Sequence, residues 1–177
     1  MYMSGMDPFP LSHWDTLAPA MKKHAAIHGQ LAGHRPRGPF RHFWGEPSRL
    51  VGDDKPYSLF LAAGVPFEVC DAPPREGWAF LSDADAGLFN EPATAVTRKT
   101  VPETLADVYA LKRRIRGELR DVPFIEDEKP AVCAWYPTAR RVFVWNLAET
   151  PETFSLCYRG TRREVRAGAL ELVEVNL

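Results

Sequence analysis

Two kinds of residue in this sequence are spaced for chemistry: a histidine pair four apart, and a set of carboxylates that fall where strands should end. His24 and His28 form an H-x-x-x-H arrangement, and on a helix that separation turns both imidazoles to one side, as a metal requires. Ala25 stands where H-E-x-x-H would carry its glutamate, and no carboxylate or cysteine nearby in sequence completes a tetrahedron. No metal is therefore expected, and the pair reads as part of a solvated helix face. Glu46, with Ser48 and Arg49, follows an aromatic run that ends at Trp44; Asp71 follows Val65 to Cys70; and Ser82, Asp83 and Asp85 follow Trp78 to Leu81. Ligands of open α/β sheets bind beyond the carboxyl ends of the strands. Trp44, Glu46, Arg49, Asp71 and Asp83 are accordingly the expected ligand-binding residues. Two carboxylates held on either side of a substrate do general acid/base work, so one functional expectation is a small enzyme using Glu46, Asp71 and Asp83 on a polar substrate. Asp53 and Asp83 also suit helix caps.

Other chemistries lack their residues. No serine or cysteine sits in a G-x-S-x-G elbow, and neither G-x-G-x-x-G nor G-x-x-x-x-G-K-[ST] occurs, so no catalytic residue is assigned and no cofactor is expected. Trp44, Trp78, Trp135, Tyr136 and Trp145 can stack on sugar faces where exposed, although alternating strands place most such rings in a core.

The elements that must position these residues change character along the chain. Apolar Trp14, Leu17, Met21, Ile27 and Leu31 recur near a 3.6-residue period, which predicts an amphipathic helix over 12–31. Strands are expected at Phe40 to Trp44, Val65 to Cys70 and Trp78 to Leu81, with helices between 53 and 64 and from Ser82 through Leu88. Thr100-Val101-Pro102-Glu103 has the form of a capping box and predicts the start of a long helix. Its apolar stripe is Leu105, Val108, Tyr109, Ile115 and Leu119. The basic run Lys112-Arg113-Arg114-Arg116 falls on the solvated face. Asp121 to Pro130 reads as a linker. Beyond it, short runs of β-formers at Ala131 to Tyr136, Arg141 to Asn146, Thr153 to Tyr158, Arg162 to Val165 and Leu170 to Val175 predict an antiparallel meander. The expected fold is α/β: a small flavodoxin-like domain over 1–125, with a mostly parallel sheet flanked by helices, and a small antiparallel β-sandwich-like module over 126–177.

Composition agrees with a globular protein. The 177 residues are 45% hydrophobic and 25% charged, with 22 Lys+Arg against 23 Asp+Glu and a net charge of −1. That balance does not suggest nucleic acid as a partner, and a (β/α)8 barrel, which needs about 250 residues, does not fit. No apolar run approaches the ~20 residues that span a bilayer, and no secretory or transit signal opens the sequence. Cys70, Cys133 and Cys157 are odd in number and widely spaced, as in reduced thiols, so a cytoplasmic protein is expected.

Two stretches are familiar together. Pro56-Tyr57-Ser58-Leu59-Phe60-Leu61-Ala62-Ala63-Gly64-Val65-Pro66-Phe67-Glu68-Val69 resembles the helix and Gly-[IV]-Pro-[FY]-Glu-Val strand of the class I glutamine-amidotransferase-like (flavodoxin-like) domain that follows the barrel in several multidomain glycoside hydrolases. Trp78 to Ala84 is similar to its next strand. Arg141-Val142-Phe143-Val144-Trp145-Asn146-Leu147, with Thr153 to Leu156, resembles the small C-terminal β-sandwich of the same proteins. The resemblance covers roughly 35–177. The amidotransferase nucleophile has no counterpart here, and the barrel with its carboxylate pair is missing. The resemblance therefore implies a non-catalytic accessory or assembly module, binding carbohydrate or a partner such as a barrel-type hydrolase or a second copy of itself. One departure concerns the fold. The link from Asp71 to Gly77 is shorter than the ten or more residues of a helical crossover, so a helix is lost or one of the two strands is antiparallel or at an edge.

Overall fold

The structure, a computed structural model, describes residues 11–43, 61–72, 74, 77–80, 96–98 and 104–177. The chain divides into two compact units, the first ending at Arg35 and the second running from Pro36 to Leu177. In the first, helix α1 (Leu11–Gln30) covers the predicted segment within one residue. Pro19 lies inside it and removes one backbone donor. Trp14, Leu17 and Met21 are exposed on it, and so are His24 and His28. No helix among the described residues is long and apolar enough to cross a membrane.

The second unit begins with four short parallel strands, β1 (Phe40–Phe43), β2 (Phe67–Cys70), β3 (Trp78–Phe80) and β4 (Val96–Arg98), in the order β2-β1-β3-β4. Strands β2 and β3 both pair with β1, Phe40 standing opposite Phe67 on one side and Trp78 on the other. The short link between them therefore steps over β1 and leaves β2 at the sheet edge. No helix is needed for this. Strands three or four residues long rise only about 10–13 Å, and two strand spacings add about 10 Å sideways, which seven extended residues at ~3.3 Å each can span. Gly38 makes the close approach at the start of β1: a Cβ there would lie 2.1 Å from the carbonyl carbon of Pro66.

Helix α2 (Leu105–Arg114) has its cap four residues after the predicted one. Thr104 is its N-cap, its Oγ1 accepting from the backbone N–H of Asp107 while the Asp107 carboxylate accepts from the N–H of Thr104. The box is thus completed by aspartate at the third position; the predicted partners Val101 to Glu103 lie outside the described residues. A short 3-10 turn follows at Arg116–Leu119. The stripe of Val108, Ile115 and Leu119 packs with Phe40, Val65 and Trp78 into one hydrophobic core. Lys112, expected on the solvated face, is instead only 4% exposed.

The segment read as a linker carries strand β5 (Phe124–Ile125), because Phe124 and Ile125 are apolar enough to be buried and pair antiparallel with the chain beyond. Five further strands follow: β6 (Ala131–Tyr136), β7 (Arg141–Asn146), β8 (Glu152–Tyr158), β9 (Thr161–Ala167) and β10 (Leu172–Asn176). They form no simple meander. The orders are β10-β7-β6 and β5-β8-β9, all antiparallel, so the last strand returns to pair with β7. The inward positions of the two sheets, among them Cys133, Val142, Val144, Phe154, Leu156 and Val175, share a second core. Asn146 is buried with them because its side chain is saturated, donating to the carbonyls of Thr150 and Gly168 and accepting from the N–H of Ala148.

These observations overturn the flavodoxin-like expectation. Among the described residues there are two α-helices, six of the ten strands are antiparallel, and the chain is mostly β. Apolar runs taken for the long covered strands of a doubly wound sheet are three- or four-residue strands, two of them separated in sequence by only seven residues. Of the helix expected over 53–64 only 61–64 is described, and it is not α-helical there, Ala63 forming a β-bridge with Ala131; the helix expected from Ser82 lies outside the described residues.

Candidate functional site

Of the expected ligand-binding residues, Trp44, Glu46, Arg49 and Asp83 lie outside the described residues. Asp71 is exposed directly after β2. What the described part of this sheet does place together is an ion-pair cluster. Glu68 on β2 pairs with Arg41, its register partner on β1, and with Arg37 at 3.4 Å, and it accepts from the backbone N–H of Gly38 at 3.2 Å. This carboxylate ties the edge strand to β1 and to the chain entering it. Beside it, burial pushes the Cys70 thiol up, only partly offset by the Arg41 guanidinium.

The outer face of sheet β10-β7-β6 presents a different surface. Register places Leu172, Trp145 and Val132 in one row across it, then Glu174, Phe143 and Ala134, then Asn176, Arg141 and Tyr136. Trp145 is 40% exposed, and its indole Nε1–H donates to the carbonyl of Leu170 at 3.0 Å, which pins the ring. In the next two rows of the same face are an Arg141–Glu174 ion pair at 3.1 Å and an edge-on contact of Tyr136 with Phe143. An apolar platform flanked by donors and acceptors can hold a ligand with both apolar and hydroxyl-bearing faces. Of the aromatic residues weighed in the sequence, Trp78 is core, its Nε1–H donating to Glu118 at 2.9 Å; Trp135 packs inward against Tyr158.

A third place is a cleft of about 500 Å3 between the Arg116–Leu119 turn and the β8–β9 hairpin. Arg116 and Arg120 line one side, and Arg159 and Arg162 the other. Glu126 lies between them, ion-paired with Arg116 and, at 3.5 Å, with Arg162. Arg162 also donates to the Ser155 hydroxyl at 2.6 Å. The Cys157 thiol in the wall is pushed up by burial and by the Glu126 carboxylate 3.7 Å away, so at neutral pH it is a neutral thiol and a poor nucleophile. Sequence reasoning missed this cleft: Arg116 fell in a helix face, Glu126 in a linker and Arg159-Gly160 in a turn. The available signal was that turn, in which arginine stands where a two-residue hairpin prefers asparagine or glycine.

No protein-family model matches the chain, and no curated protein or solved structure matches it either.

Proposed function

We propose that this chain is a non-catalytic accessory module that binds carbohydrate through the outer face of sheet β10-β7-β6, and that it is related to the C-terminal parts of multidomain glycoside hydrolases. The observation that carries the reading is Trp145, a half-exposed indole held in place by the Leu170 carbonyl amid the Leu172 and Val132 side chains. The C–H face of a pyranose is apolar and packs on such a ring, while its hydroxyls need the charged and amide groups that Arg141, Glu174 and Asn176 supply on the same face. Pinning the ring in advance lowers the entropy lost on binding. The kinship to glycoside hydrolases rests on the resemblance of the Arg141 to Leu147 and Thr153 to Leu156 stretches to their C-terminal β-sandwich, and a barrel-type hydrolase is the partner it implies. A reducing, cytoplasmic setting is supported by three free cysteines, of which Cys133 is wholly buried.

Affinity electrophoresis of the full chain through gels containing soluble neutral polysaccharides tests this reading. At least one polysaccharide should retard the protein, and Trp145→Ala should abolish the retardation at a stability cost of about 1–3 kcal/mol, from loss of the ring's packing and of its hydrogen bond, with the far-UV circular dichroism unchanged. A chain that no glycan retards does not bind carbohydrate. Turnover of a chromogenic glycoside that Asp71→Asn or Glu46→Gln eliminates would make the protein an enzyme instead.

A further inference from the structure

We propose that the cleft between the Arg116–Leu119 turn and the β8–β9 hairpin binds a small oxyanionic ligand carrying at least two negative charges, as carboxylate or phosphate. Four arginines line it against the single acidic residue Glu126, in a chain whose net charge is −1. Glu126 is already shared by Arg116 and Arg162. Arg120 and Arg159 face the same space with no carboxylate partner among the described residues, so two forks of N–H donors stand ready for oxygens supplied from outside.

The two arginines are also held together. The backbone N–H of Arg159 donates to the carbonyl of Arg120 at 3.2 Å, and the Arg159 guanidinium lies over the Tyr158 ring, 5.1 Å from its centroid. Backbone geometry adds an independent sign. Arg159 and Gly160 form the two-residue loop between paired Tyr158 and Thr161, with φ of +49° and +79°. Glycine takes such an angle freely, but a residue with a Cβ is strained there, and asparagine or glycine would suit the first position better. Strain of this kind gathers where a side chain is needed for binding. The volume, about 500 Å3, suits a small molecule. The cleft belongs to the sheet opposite Trp145, so this inference stands apart from carbohydrate binding.

Calorimetric titration of the full chain with citrate and with pyrophosphate at low ionic strength tests it, with galactose as the neutral control. Saturable binding of at least one anion is expected: citrate alone assigns a carboxylate ligand, pyrophosphate alone a phosphate ligand, and both together any dianion of this size. Arg120→Ala should weaken that binding at least tenfold. Arg159→Asn should weaken it similarly while raising the melting temperature, because asparagine relieves the turn, so its loss of binding cannot come from unfolding. Absence of saturable binding by either anion, galactose binding as well as they do, or unchanged affinity in both variants overturns the proposal.

Discussion

Lys112 shows what one side chain does when its surroundings are assembled from distant parts of the chain. Its Nζ donates to the carbonyls of Ala63 at 3.0 Å, Ile125 at 3.2 Å and Asp127 at 2.6 Å, and it lies 4.9 Å from the centroid of the Tyr109 ring. One ammonium with three donors thereby ties α2 to the segment before β2 and to β5. Replacing it by methionine keeps the stem but strands two buried carbonyls and a part-buried one, and Lys112→Met should cost about 2–4 kcal/mol in urea unfolding. In the sequence this lysine was one of four basic residues on a helix, and a run of charges normally marks the wet side. Its neighbours Arg113, Arg114 and Arg116 obey that rule. Only the carbonyls brought up by Ala63, Ile125 and Asp127 make the exception, and nothing local announces them.

Elements in this protein were legible where their pattern is local and long. α1 and strands β6 and β7 were located within a residue, because helical periodicity or alternation between clear turn signals specified each of them. Among the short elements β1 and β3 were also located within a residue, but β5 hides among acidic and proline residues, and β4 falls where no strand was expected. The start of α2 was misplaced because Thr100 and Thr104 both offer a hydroxyl followed three residues on by a carboxylate. Thr104→Ala should destabilise the protein by about 1 kcal/mol through loss of the cap. Asp107→Ala should cost a similar amount, and the double variant should cost less than the sum, since the two side chains share one box. Additive losses in denaturant midpoints would show that Asp107 acts outside the cap.

The whole molecule registers its buried groups through pH. Burial lowers Lys112 to about 8 from 10.5, against the pull of Glu128 and Asp127, and raises the Cys133 thiol to about 12 from 9. Between about pH 8 and 10.5 the unfolded chain holds more protons at Lys112 than the native one, so that group makes stability rise with pH. Above pH 9 the native chain keeps the Cys133 proton that the unfolded chain loses, so the thiol makes stability fall, up to about pH 12. Cys70, Cys157 and Tyr109, all raised by burial, act in the same direction as Cys133. Their combined contribution climbs from pH 8 to 9 and declines beyond. Urea midpoints across that range check this: Lys112→Met should remove the climb and Cys133→Ala should reduce the decline. By itself the sequence determined the first helix, most of the antiparallel strands and the balanced charge, because periodicity, turn residues and composition are properties of neighbouring residues. The tertiary structure decided which sheet each strand joined, that the flavodoxin-like architecture was wrong, why Lys112 is buried and where four arginines meet. Those outcomes depend on pairing and packing between residues far apart in the chain, and no local pattern encodes which distant partner arrives.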